Sequence, residues 1–113
     1  MDMLLKRGRD LNDTSEKEVS YYKRAISLCP DLVEAYYYLG AVYINQQDAQ
    51  RAVDLHREII QMQPNEAEAH FRLGVAYILQ RKFQQAEQEL RWALRLNPDH
   101  QQAAEYLEHL KDQ

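Results

Sequence analysis

The feature that most constrains this chain is a short pattern that occurs twice at a fixed distance. Gly40 and Gly74 are 34 positions apart, and each is preceded by a leucine and followed three positions later by a tyrosine. Prolines repeat the same distance of 34 positions, at Pro30, Pro64 and Pro98. A fixed period of this length is typical of proteins that stack one small structural unit several times. The sequence therefore predicts a repeat protein rather than a fold around one closed core.

Each unit predicts a pair of helices. Apolar side chains recur every three or four positions on both sides of a short polar stretch, as expected when one face of each helix is buried. The chain has only three glycines and three prolines, which favours long helices over many tight turns. Predicted helix caps are Ser15 with Glu18, Asp31 with Glu34, Asp48, Asn65 with Glu68, and Asp99 with Gln102.

These patterns resemble the tetratricopeptide repeat family. The motif residues are Tyr36, Leu39, Gly40, Tyr43, Ala52 and Pro64, followed by His70, Leu73, Gly74, Tyr77, Ala86 and Pro98. The resemblance implies an all-α fold, a helix-turn-helix repeat solenoid (superhelix) of about three repeats plus a C-terminal capping helix. It implies a single domain with a partial first repeat at 1–32, a second repeat at 33–66, a third repeat at 67–100 and the capping helix at 101–113. In the family, the small residues at the glycine and alanine positions let the paired helices approach closely.

Residues 1–14 fit the repeat least well. One period before the small residues of the second repeat lie Lys6 and Glu18, whose long side chains do not suit a close contact. Because overpacking costs about 1–3 kcal/mol, we expect the first helix to be loosely packed, displaced or frayed. An ion pair between Lys6 and Glu18 across a wider gap is the alternative. His56 and His70 also stand where the motif favours aromatic residues.

A second apolar stripe runs beside the motif residues on the first helix of each repeat. Stacked helix pairs form a concave surface, which in the family is lined by these first helices. A helix with two apolar stripes is buried on both sides or carries a contact surface. We therefore predict a peptide-binding groove lined by Tyr37, Tyr38, Ala41, Ile44, Phe71, Arg72, Val75, Ile78 and Tyr106. The alternative is that these side chains pack against neighbouring repeats.

The predicted partner is a peptide or helical segment of another protein. One branch of the family binds the C-terminal carboxylate of chaperone tails, but of the residues it uses only Arg72 matches, and Glu68 would repel a carboxylate. An apolar peptide or helix is the better candidate, with Arg72 pairing one acidic group.

The alternative function is self-association, as a homodimeric or domain-swapped scaffold element of a larger complex. Trp92 is the predicted dimer contact because it lies off the buried stripe of its helix. The alternative for this residue is packing over its own helix or near Arg95.

Composition and spacing argue against the other function classes. The net charge is −4, whereas a phosphate-binding surface carries a basic excess, so we expect no nucleic acid partner. The four histidines are scattered, the single Cys29 has no partner, and the three glycines are isolated, so we expect no metal, no cofactor, no catalytic residue and no enzymatic activity. No apolar run approaches the roughly 20 residues of a membrane span. We expect a cytoplasmic chain that does not insert into membranes.

Overall fold

The computed structural model describes residues 16–111, and all regular structure within them is helical. The helices are α1 at 16–28, α2 at Val33–Asn45, α3 at Ala49–Met62, α4 at Ala67–Leu79, α5 at Phe83–Leu96 and α6 at Gln101–Lys111. This part of the chain contains no strand, so the predicted all-α repeat solenoid is confirmed. The expectations for residues 1–14 and for the Ser15 cap lie outside the described residues.

The helices stack in chain order, each packing on the next from α2 to α6. One apolar cluster joins α2, α3, α4 and α5, and apolar residues of α1 pack against it. A second cluster joins the last three helices and consists of Phe71, Leu90, Ala93 and Ala103. The core is therefore shared between neighbouring helices along the stack, as expected of a repeat array.

Small residues bring the two helices of each repeat close together. A β-carbon on Gly40 would lie 2.6 Å from Cε1 of His56, and one on Gly74 would lie 3.1 Å from Cδ2 of Leu90. His56 and Leu90 stand one period apart, so an imidazole makes in one repeat the contact that a leucine makes in the next. This contact explains why the motif requires a glycine on the first helix.

The turn inside each repeat has the same backbone conformation in both copies. Gln47 and Arg81, one period apart, have φ angles of 59° and 60°. The backbone N–H of the next residue donates to the carbonyl oxygen of the motif tyrosine. The bond from Asp48 to Tyr43 measures 2.8 Å, and the equivalent bond in the following repeat measures 2.9 Å. This geometry is a Schellman motif, which satisfies the last carbonyls of the first helix and starts the second helix in a fixed direction.

The helix caps are only partly as predicted. Asp48 caps α3, since its carboxylate accepts a hydrogen bond from the backbone N–H of Arg51 at 3.3 Å. The predicted caps of α2, α4 and α6 at Asp31, Asn65 and Asp99 are wrong, because a hydrogen-bonded backbone turn after each proline occupies these residues. The helices therefore begin later, directly after Leu32, Glu66 and His100.

Candidate functional site

A depression of about 250 Å³ lies between α2, α4 and α6. Its lining residues are Ala41, Ile44 and Asn45 of α2, His56 of α3, Glu68, Phe71, Arg72 and Val75 of α4, and Gln102 and Tyr106 of α6. We call this depression the groove. Three pairs of its lining residues stand one period apart: Ala41 and Val75, Glu68 and Gln102, and Arg72 and Tyr106.

Aromatic rings form one end of the groove. Phe71 is only 7% exposed, and its ring lies 4.7 Å from the His100 ring and 5.5 Å from the Tyr106 ring. Tyr106 is 37% exposed and is therefore accessible to another molecule. Phe71 supports this end of the groove, whereas Tyr106 presents its ring to the surface.

A carboxylate links two walls of the groove. Nε of Arg72 donates to Oε2 of Glu68 at 2.9 Å, and Nε2 of His100 lies 3.0 Å from Oε1 of the same carboxylate. The backbone N–H of Ala103 donates to Nδ1 of His100 at 3.1 Å, so the ring proton of His100 lies on Nε2 and is donated to Glu68. The guanidinium carbon of Arg72 also lies 4.8 Å from the centre of the Tyr37 ring.

The charges of this network compensate each other. Burial raises the pKa of the Glu68 carboxyl, but hydrogen bonds from His100 and Arg72 outweigh that effect and bring the pKa below its ordinary value. Glu68 is therefore ionised at neutral pH and balances the positive charge of Arg72.

The base of the groove contains a neutral histidine. His56 is 1% exposed, and burial together with the nearby Arg72 lowers its pKa to about 4, against the opposing effect of Glu68. Its ring centre lies 6.3 Å from that of Tyr37, whose hydroxyl pKa is raised far above its ordinary value by burial. Nδ1 of His56 and the Tyr37 hydroxyl are both buried without a hydrogen-bond partner among the described residues. An imidazole in this environment is uncharged in the folded protein at neutral pH.

The groove contains six of the nine residues that the sequence predicts for it: Ala41, Ile44, Phe71, Arg72, Val75 and Tyr106. The other three lie beside it or elsewhere. Tyr37 lies under the Arg72 guanidinium, Tyr38 is 58% exposed and stacks on Tyr22 with ring centres 5.5 Å apart, and Ile78 packs against both core clusters.

Four lining residues are absent from the sequence prediction: Asn45, His56, Glu68 and Gln102. A signal for His56 is its position on the second helix, one period before Leu90, where a polar side chain is unusual. Gln102 lies one period after Glu68, so both occupy the same position of the first helix. The repeat frame therefore indicates Gln102 as soon as Glu68 is recognised.

Trp92, the predicted dimer contact, lies on α5 and does not line the groove. It is 45% exposed, with the guanidinium carbon of Arg95 5.2 Å from its ring centre and the His70 ring 5.7 Å away. His70 is itself buried between two oxygens, 2.8 Å from Glu89 and 3.0 Å from the carbonyl of Pro64. The Trp92 ring is therefore supported from two sides and still presents a large apolar surface.

A stack of helix pairs whose first helices share one open groove defines a solenoid repeat protein with a surface suited to interaction. More particularly, the chain belongs to the tetratricopeptide repeat family: the family model described as "Tetratricopeptide repeat" matches residues 43–110, and one described as "TPR repeat" matches residues 20–47. The family resemblance seen in the sequence is thereby confirmed. Members of this family are generally protein-interaction modules.

Several solved structures share the fold. The TPR domain of Arabidopsis OM64 is 21% identical with a TM-score of 0.82, over 94% of this chain and 88% of that one. MamA from Desulfovibrio magneticus RS-1 is 22% identical with a TM-score of 0.76, over 90% and 57%. YrrB, described as a TPR protein with an unusual peptide-binding site, is 23% identical with a TM-score of 0.77, over 83% and 48%.

At these identities the structural likeness shows the fold alone. The chain spans little more than half the length of the MamA chain, at 57%. No curated protein matches the sequence.

Residues 16–111 lack the features of two other kinds of site, a metal centre and a membrane span. This part of the chain contains no group of three or more His, Cys, Asp or Glu side chains arranged to hold a metal ion. None of its helices combines the length and the apolar character that crossing a bilayer requires.

Proposed function

We propose that this chain binds a peptide or helical segment of another protein in the groove between α2, α4 and α6. The observation that carries the proposal is that six of the side chains predicted from the sequence line one depression. Tyrosine and arginine, both present in this set, are enriched at the residues that dominate binding energies. The proposed role is that of a cytoplasmic binding module or scaffold without a cofactor, not that of an enzyme.

The size of the groove supports a peptide over a small molecule. Its volume of about 250 Å³ is below the range of roughly 300–1,000 Å³ typical of pockets that enclose a drug-sized ligand. Nine of its ten lining residues come from α2, α4 and α6, which provide a surface long enough for several side chains of one segment. A segment that sets a few apolar side chains between Ala41, Ile44 and Val75 fits this shape.

Replacing Tyr106 by alanine is expected to weaken partner binding at least roughly tenfold, because truncating an accessible tyrosine at an interface can remove a large share of the binding energy. The measurement is capture of proteins from a native-source lysate on the immobilised chain, with quantitative mass spectrometry. Tyr21→Ala is the matched control, since Tyr21 is a 69% exposed tyrosine of α1 that does not line the groove. Equal capture by wild type and Tyr106→Ala would refute the groove. Phe71 is unsuitable for this test because it is only 7% exposed, so its truncation would open the core.

A second candidate function is self-association through Trp92. The observation that favours it is the 45% exposure of this ring beside Arg95, since tryptophan and arginine are both enriched at protein interfaces. We expect the wild-type mass in sedimentation velocity to increase with concentration and Trp92→Ala to remain monomeric. A wild-type mass that stays monomeric at every concentration would remove this candidate.

A further inference from the structure

We infer that the groove binds electrically neutral segments in preference to carboxylates, because Glu68 already serves as the anion for its arginine and its histidine. This inference rests on the proposed function and names the chemistry of the bound segment. Glu68 would thus be a specificity-determining residue, since it sets the charge of the surface that a partner meets.

Glu68 engages both walls at once. One carboxylate oxygen accepts from Nε of Arg72 at 2.9 Å on the same helix, and the other lies 3.0 Å from Nε2 of His100, which is 32 positions further along the chain. The His100 side chain is only 9% exposed and is held from its other side by the backbone N–H of Ala103 at 3.1 Å. This arrangement differs from an isolated pair on one helix surface, because the histidine lies directly before α6, away from α4, and has little freedom to move.

An incoming carboxylate would meet competition at this position. It would meet an arginine whose charge is already balanced by an intramolecular carboxylate, and it would be repelled by the negative charge of Glu68. A binding surface that contains such a repulsive group discriminates against the ligands that carry the same charge.

A neutral hydrogen-bond acceptor meets no such competition. The guanidinium group of arginine carries five N–H donors, and within residues 16–111 the only side-chain hydrogen bond of Arg72 uses Nε. The Arg72 side chain is 35% exposed, so its terminal N–H groups remain accessible from the groove. Their natural acceptor is an uncharged oxygen, such as a backbone carbonyl or a side-chain amide of Asn or Gln. The apolar residues Ala41 and Val75 of the same depression favour an apolar neighbour for that acceptor.

The test uses two probes that differ in one group. N-acetyl-leucyl-leucine with a free C-terminal carboxylate and the same peptide with a C-terminal amide are titrated into the full chain. Heteronuclear NMR follows the Nε–H of Arg72 and the backbone amides of α4. We expect the wild type to bind the amide probe roughly tenfold more tightly than the acid probe, and Glu68→Gln to reverse this preference.

A second substitution separates charge recognition from a structural effect. In the Glu68→Gln background, Arg72→Gln should remove the gain in acid binding, because that gain needs the freed guanidinium. The inference is overturned if the wild type binds the acid probe at least as tightly as the amide probe, or if Glu68→Gln leaves the preference unchanged. If the partner does not bind in the groove at all, the result is different. Tyr106→Ala would then leave partner capture unaffected, whatever charge preference the probes show.

Discussion

Replacing His56 by leucine should abolish most of the loss of stability that the wild-type protein shows as the pH falls from 6.5 to about 4. In the folded protein the pKa of His56 is lowered to about 4, whereas the ordinary value in an unfolded chain is 6.5. Between these values the unfolded state binds a proton that the folded state does not, so the free energy of unfolding falls as the pH decreases. This loss is absent above pH 6.5, and over the full pKa shift it lowers the free energy of unfolding by about 3 kcal/mol.

Leucine suits this position because Leu90 fills the equivalent site one period later against Gly74. The measurement is urea unfolding by circular dichroism at neutral pH and at about pH 5, where we expect the wild type to have lost about 2 kcal/mol more than His56→Leu. His109→Leu is the matched control, since His109 is exposed on α6. Parallel losses in wild type and His56→Leu would show that His56 is not the group responsible. Protonation of Glu68 also lowers stability, but only at lower pH, because the pKa of this carboxyl is lowered from its ordinary value of 4.5.

Ala103→Arg is expected to detach α6 and to lower the free energy of unfolding by about 3 kcal/mol. Ala103 has no exposed surface and packs in the cluster with Phe71, Leu90 and Ala93, so an arginine there must overpack the core or bury its charge. In a repeat array each unit is stabilised mainly by its neighbours. The loss should therefore be greatest in α6 and the adjoining end of α5, and smallest in α2 and α3.

Hydrogen exchange of the backbone amides distinguishes a local from a global effect. Amides of α6 should exchange faster in Ala103→Arg, while those of α2 and α3 keep most of their protection. Ala104→Arg is the matched control, because the neighbouring residue 104 is exposed on the same helix. A uniform loss of protection, or an equal effect of Ala104→Arg, would contradict a local role of Ala103 in holding α6 against α4 and α5.

Most of the fold could be predicted from the repeat frame alone. A period of fixed length requires that the same contact recurs, and the glycines at 40 and 74 each face a side chain on the second helix of their repeat. Less predictable were the helix ends. Helical spacing alone would assign Leu28, Met62 and Phe83 to buried stripes, yet they are 81%, 39% and 37% exposed. All three lie at the end of a helix, where the neighbouring helix no longer covers the stripe.

The groove was harder to predict than the fold because two stripes on one helix do not reveal which neighbour each one meets. Ile78 belongs to the second stripe of α4 and Tyr38 lies beside that of α2, but Tyr38 stacks on Tyr22 and Ile78 packs against the core. The sequence also assigns an acidic partner group to Arg72. In the structure Glu68 of the same chain supplies such a group, four residues earlier on α4.

His100 performs two tasks with one ring, since it accepts from the first turn of α6 and donates to the carboxylate of α4. Without this ring, the N–H of Ala103 and one oxygen of Glu68 would each lose a hydrogen bond. The terminal helix and the recognition surface are consequently not independent modules. Lengthening this array, or grafting its last helix onto another one, would preserve the surface only if the histidine were transferred together with its glutamate.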